Sequence, residues 1–404
     1  VVLVALAWDG VRAVLLNLYL LRMGYGPDFV GVVTAVGALA FALMCLPAGT
    51  MGARWGNRNM LVAGVSLLAV GFGSLLLAES VPGAWRTGWL LVSYVVIYLG
   101  FALYLVNGLP FMMGSTGPEE RNYAFSVQMA LSPLAAFAGS LLAGFLPGVL
   151  SSLLGVSLEV SAPYRLTLSL AALLLIPSVL VLLRTRSVET EPVQEPTGRE
   201  PGVQASRAPY ALIAIMAMVM AFRFGGWGTT MTFYNVYLDD GLGVSTALIG
   251  AVSAVAQLLA VPAALAAPLL AATWSNSRVI VWGTLGTALC LLPLALIPFF
   301  PVAGLGFVGA TVMFYVTTGP IRVFSQELVA PRWRNAMASV FTLGAGLAYS
   351  GMSLAGGVLI MAVGYRVLFL VASGMITTGA VLFWAYFRVP RGELARAPEV
   401  EAGD

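Results

Sequence analysis

Thr185-Arg-Ser-Val-Glu-Thr-Glu-Pro-Val-Gln-Glu-Pro-Thr-Gly-Arg-Glu-Pro-Gly-Val-Gln-Ala-Ser-Arg-Ala-Pro209 is the only long run in 404 residues with almost nothing apolar to bury. Prolines interrupt it, and Glu and Arg fill it. Such a segment cannot offset its ordering entropy, so it reads as a flexible linker. The sequence on either side is oily. The whole chain is 60% hydrophobic and 9% charged, with a mean hydropathy of +0.94. Soluble domains carry roughly 25% charged residues. The chain therefore lacks the polar surface a water-soluble globule needs, and apolar runs near 20 residues make it a helical membrane protein.

Working outward, six apolar spans precede the linker, at about 1–22, 29–51, 59–78, 89–114, 122–147 and 164–184. Six follow, at about 210–238, 247–272, 279–300, 303–327, 335–361 and 366–387. No basic leader with a cleavage site opens the sequence, so residues 1–22 read as the first span. With the linker on the cytoplasmic side, thirteen Arg outside the spans fall in the cytoplasm and four (Arg22, Arg86, Arg165, Arg366) on the other side. That bias predicts cytoplasmic termini.

The halves repeat one another. Asn17-Leu-Tyr19-Leu20 matches Asn235-Val-Tyr237-Leu238, and Val30-Gly-Val-Val-Thr-Ala-Val36 matches Ile249-Gly-Ala-Val-Ser-Ala-Val255. Trp55-Gly-Asn57 matches Trp274-Ser-Asn276, and Pro118-Glu-Glu-Arg121-Asn122 matches Pro331-Arg-Trp-Arg334-Asn335. The offsets stay between 213 and 219. Parallel halves of this kind predict a substrate site between them.

Composition also excludes chemistry. All twenty basic residues are Arg, and there is no Lys or His. Lysine-dependent phosphate loops, His-dependent triads and His-x-x-x-His zinc sites are thereby excluded. The two cysteines, Cys45 and Cys290, sit inside apolar runs and suggest neither a disulfide framework nor a metal site. Gly304-Leu-Gly306-Phe-Val-Gly309 matches a dinucleotide fingerprint but begins a membrane span, where no strand precedes it. No cofactor, metal or nucleic acid is expected.

In span count, linker and repeat the chain resembles the major facilitator superfamily over essentially its whole length. The loop after span two is similar to the family's Gly-x-x-x-Asp-Arg-x-Gly-Arg-Arg motif. Gly49, Arg54, Gly56 and Arg58 fit it, while Ala53 replaces the acid and Asn57 one base. The resemblance implies an all-α integral membrane fold of twelve transmembrane helices in two pseudo-symmetric six-helix bundles. They would be residues 1–184 and 209–390, with a cytoplasmic linker at 185–208 and a tail at 391–404. It also implies a monomeric inner-membrane transporter of a bacterium, whose partners are the bilayer, a small-molecule substrate and coupling protons. A cytoplasmic gate of Gly49, Arg54, Gly56, Arg58, Arg121, Glu327 and Arg334 follows, with Ala53 altering the usual charge lock.

In this family spans one, four, seven and ten line the central cavity. Intramembrane charges fall on three of them. Asp9 and Arg12 share a face of span one at i,i+3, Arg223 lies in span seven and Arg322 in span ten. Each such charge costs about 2.5–3.5 kcal/mol at mid-helix and must face water or a partner. Arg223, Trp227, Thr230, Tyr234 and Tyr237 form one stripe on span seven, spaced 4, 3, 4, 3. Tyr315 and Gln326 extend the set on span ten, Asn107 on span four and Tyr19 on span one. Asp9, as the carboxylate well inside a span, is the expected proton-coupling group. Asp9 set against Arg12, Arg223 and Arg322 leaves a formal +2, which favours an anionic solute. The expected activity is proton-coupled efflux of a metabolite or drug-like molecule. The rivals are an uncoupled facilitator or uptake permease for an organic anion, a non-transporting receptor or scaffold, and, most weakly, a membrane enzyme.

Overall fold

The apolar runs fold into helices because a bilayer offers no partner to an open backbone amide. The computed structural model describes residues 1–185, 209–389 and 391–395, apart from the side chains of 118, 119, 121–126, 129, 130, 394 and 395. The linker expected at 185–208 lies outside the described residues but for Thr185, as does most of the tail.

The helices are α1 (Val2–Arg22), α2 (Pro27–Trp55), α3 (Asn57–Leu76), α4 (Gly83–Ser115), α5 (Pro118–Leu154) and α6 (Ala162–Arg184). After the linker come α7 (Tyr210–Gly241), α8 (Thr246–Trp274), α9 (Asn276–Leu296), α10 (Phe300–Glu327) and α11 (Arg334–Phe387). Eleven described helices are thus long and apolar enough to cross a membrane. The last, at 54 residues, is far longer than a bilayer needs, and it breaks at Gly364, where φ is 83° and ψ is 174°. Its two arms, 334–363 and 365–387, cover the two final apolar runs. Several boundaries move outward from those read in the sequence. The largest shift is at the end of α5, which runs on to Leu154, and its start at Pro118 is a proline suited to a first helical turn.

Successive helices alternate in direction, which gives the molecule an Arg54 face and an Asp239 face. Within residues 1–184, α3 packs on α4 and α6, α2 on α4 and α1 on α5. Within 210–389, α9 packs on α10, α8 on α10, and α7 and α9 on α11. Two crossings join the halves, α5 on α8 and α2 on α11. At the first, a Cβ built on Gly144 would lie 2.9 Å from the Gly250 Cα, so glycine permits backbone contact there. The first helices of the halves also exchange hydrogen bonds. Asn17 donates to the Thr232 carbonyl at 2.8 Å, and Asn235 donates to the Ala13 carbonyl at 2.7 Å.

The repeat reaches down to backbone angles. α2 runs on to Trp55 and α3 starts at Asn57, so the loop between them shrinks to Gly56, with φ 87° and ψ 133°. Its counterpart between α8 and α9 is Ser275, with φ 76° and ψ 150°. Only glycine takes this region without strain, and a side chain there costs about 1–3 kcal/mol. Ser275→Gly is expected to stabilise the protein by about 1 kcal/mol, read as a raised midpoint of thermal unfolding in detergent. An unchanged or lowered midpoint would show that the serine hydroxyl compensates the strain.

Candidate functional site

α1 is not a plain helix. Residues Leu6–Arg12 form a π turn, a widened turn often found at functional sites. Asp9 sits in it. Residue Asp9 is exposed, although its neighbours Trp8 and Gly10 are buried, and it lines a central cavity of about 240 Å³. Arg12 lines the same cavity but does not pair with Asp9. Its Nε donates to the Trp8 carbonyl at 3.2 Å and its Nη1 to the Tyr98 hydroxyl at 3.3 Å. The guanidinium carbon lies 3.9 Å from the centre of the Trp8 ring, a cation–π contact. Asp9 is therefore in no ion pair among the described residues.

Both halves supply the cavity wall. Trp227 of α7 stacks on Phe314 of α10 at 4.2 Å between centroids, and Tyr234 stacks on Phe307 at 3.7 Å. Tyr94, Tyr98, Gln257, Tyr315 and Tyr349 complete the polar and aromatic lining. The buried hydroxyls of Tyr94, Ser140 and Tyr234 make no hydrogen bond to described residues. Buried polar atoms are nearly always satisfied, so these three are exceptions at the cavity wall.

The structure brings together Asp9, Arg12, Trp227, Tyr234 and Tyr315 of the expected set. It places the others elsewhere. Arg223 is 2% exposed and lines neither this cavity nor the wider one described below. It donates to the Phe314 carbonyl at 3.0 Å and to the hydroxyls of Thr317 and Thr318, with the Phe314 ring 4.3 Å away. Thr230 bonds the Gly226 carbonyl of its own helix. Tyr19 donates to Glu79 at 3.1 Å, away from the cavity. Asn107 ties α4 to α2 through the Ala48 carbonyl at 3.3 Å. Arg322 and Gln326 line a different space.

That space is a cavity of about 1020 Å³ between the start of α1, the end of α4, the end of α10 and the start of α11. It lies toward the Arg54 face. Arg322 is exposed there, its guanidinium in no ion pair or hydrogen bond with a described residue. Among the described residues, the expected gate side chains make no hydrogen bond or ion pair across the halves. Gly49 lies inside α2, Gly56 makes the turn, and Arg54 and Glu327 are exposed. Arg58 donates to the Leu182 and Leu183 carbonyls of its own half, and Arg334 to the Gln326 carbonyl. The Arg121 side chain lies outside the described residues.

The opposite face is shut. Arg22 at the end of α1 grips Asp239 at the end of α7 in a two-bonded ion pair, both bonds 2.7 Å. The side chains are only 13% and 8% exposed. Tyr164 and Thr246 share a hydrogen bond across the same seam at 2.8 Å. The Asn17/Asn235 exchange and a bond from Ser350 to the Ala35 carbonyl lie deeper. Cross-half hydrogen bonds among the described residues thus run from mid-membrane to the Asp239 face. Arg22, Asp239, Asn17 and Tyr349 were not among the expected site residues. The repeated Asn17/Asn235 motif was the one signal in the sequence for any of them.

A family model described as Major Facilitator Superfamily matches residues 1–351. Multidrug resistance protein MdtH of Aeromonas hydrophila subsp. hydrophila is 26% identical over 230 residues, 56% of this chain and 52% of that protein. The match spans about half the length of this curated relative. The xylose transporter XylE from E. coli, in an inward-open conformation, superposes with a TM-score of 0.75 at 14% identity, over 98% of this chain and 96% of that one. A bacterial homologue of the human lysosomal transporter Spinster, inward-facing and occupied, gives 0.73 at 17% identity, over 96% and 94%. At such identities the likeness is one of fold.

Proposed function

Because the chain belongs to the Major Facilitator Superfamily, we propose that it is a secondary transporter that carries a small organic solute across the inner membrane of a bacterium by alternating access. Counting the arms of α11 separately gives twelve spans, in two bundles of six. The Arg bias assigns the Arg54 face to the cytoplasm, which makes this conformation inward-facing. In the alternate state the Arg54 face closes, with Gly49, Arg54, Gly56, Arg58, Arg121, Glu327 and Arg334 at the seam. Proton coupling and efflux complete the reading, and the multidrug-resistance name of the curated relative supports export.

One observation carries this proposal. Asp9 presents an unpaired carboxylate to a cavity walled by both halves. A group so placed can take a proton from one side and release it to the other. With Arg223 withdrawn, the central cavity holds Asp9 and Arg12 and is formally neutral, while Arg322 stands in the approach from the Arg54 face. A solute with an aromatic body and an anionic or zwitterionic group fits both spaces.

The test is a flux assay in proteoliposomes under an imposed pH gradient, with aromatic anions, zwitterions and cations of similar size. Uphill movement of the first two, abolished by a protonophore, is expected. Equilibration indifferent to the gradient would mark an uncoupled facilitator, and a preference for cations would overturn the substrate class.

A further inference from the structure

A groove of about 780 Å³ runs down the outer wall of the second half, between the start of α9 and the last turns of α11. It shares no lining residue with the central cavity or with the wide one toward the Arg54 face. Its walls face the bilayer. Trp282 of α9 is 64% exposed and Trp384 of α11 is 52% exposed, over a floor of buried Phe324 and Phe383.

Its rim is cationic. Arg278, Arg388 and Arg391 line it, and among the described residues no acidic one does. The two walls have the same register. Arg278 stands four residues before Trp282, and Arg388 four residues after Trp384. Each arginine therefore sits one helical turn, about 6 Å, nearer the Arg54 face than a tryptophan. Tryptophan marks the depth of lipid headgroups, so the guanidinium groups stand at or just above that level. Their bonding capacity is largely unspent. Arg278 makes no hydrogen bond or ion pair with a described residue. Arg388 rests 5.6 Å from the Trp384 ring centre, and Arg391 commits its Nε to the Tyr386 carbonyl at 3.0 Å. Groups that make two-pronged bonds to phosphate are thus held above an apolar, membrane-facing slot.

We propose that this groove binds an anionic glycerophospholipid. The phosphate lies among Arg278, Arg388 and Arg391, and the acyl chains run along Trp282, Leu285 and Val381. Charge selects the lipid, because a zwitterionic headgroup brings its own cation against a rim whose described residues include no acid to receive it. Bound there, the lipid bridges α9 and the end of α11 from outside the protein.

The experiment is native mass spectrometry of the purified, delipidated full chain. It is titrated with phosphatidylglycerol, with phosphatidylcholine of the same acyl chains, and with glycerol phosphate as the headgroup alone. The wild type is expected to hold phosphatidylglycerol at least tenfold tighter than phosphatidylcholine and not to retain glycerol phosphate. Each arginine near a charged lipid is worth about fivefold, so Arg278→Gln/Arg388→Gln/Arg391→Gln should lose phosphatidylglycerol roughly a hundredfold. Arg184→Gln, on the same face but outside the groove, should hold it as the wild type does. Arg278→Gln alone, with about a fivefold loss, serves if the triple variant does not fold. Equal binding of the two lipids would overturn the proposal. So would an unchanged variant, glycerol phosphate bound as tightly as lipid, or a lipid-independent dimer seated on the groove.

Discussion

Asp9→Asn abolishes gradient-driven transport and leaves counterflow exchange of the solute running. Asn nearly matches Asp in size and polarity, so the cavity keeps its shape, but it neither takes nor gives a proton. It is also cheaper to hold in a membrane, where an aspartate at mid-helix costs about 2.5–3.5 kcal/mol. Loss of folded protein is therefore not the expected outcome. The structure sharpens the expectation, since Asp9 has no ion-pair partner for the substitution to orphan. Driven uptake and exchange are compared on one proteoliposome preparation. Driven transport should fall to background, while exchange keeps a large fraction of its rate. Equal loss of both would mean a structural role for Asp9, and unchanged driven transport would remove it from the mechanism.

Asp239→Ala opens the opposite face. Breaking a buried ion pair by removing one partner costs about 3–5 kcal/mol, because the other charge is left uncompensated. Here that charge is Arg22, 13% exposed and bonded to Asp239 through two nitrogens, which would keep only the solvent-exposed Glu159 carboxylate at 3.9 Å. The pair spans the halves, so the cost falls on the conformation that buries it. Opening that face gives Arg22 water, and the balance should shift by roughly a hundredfold or more toward the open form. Spin labels placed across the seam on α1 and α7 should report a longer distance. The swapped variant Arg22→Asp/Asp239→Arg restores opposite charges and should restore much of the short distance. An unchanged distance in Asp239→Ala would show that helix packing, as at Gly144 and Gly250, holds the face shut without the pair.

The fold was largely legible because each span is a long run dominated by apolar residues and the repeat fixes how the runs correspond. The site was legible where a short side chain sits on the face its spacing names, as with Asp9. Arg223 shows the limit. Its place in the stripe with Trp227 and Tyr234 locates its Cα, but its long side chain leaves the stripe for the Phe314 carbonyl and two threonines. Arg12 shows it again, since i,i+3 spacing puts it on the face of Asp9 while its guanidinium lies over the Trp8 ring. The π turn around Asp9 changes which carbonyl each amide meets, and no residue type announces that. The Arg22–Asp239 grip joins positions 217 apart, which no local pattern could connect.

The crossed bonds of Asn17 and Asn235 bear on descent. Each asparagine reaches the backbone of the other half's first helix, so the two bonds nearly repeat one another under a twofold rotation. An interface of that kind is what two copies of one polypeptide form when they pair. In an ancestor encoding a single half, one codon change would have created both bonds at once. Gene duplication and fusion would then have inherited the seam ready-made, leaving each copy free to diverge everywhere except along it.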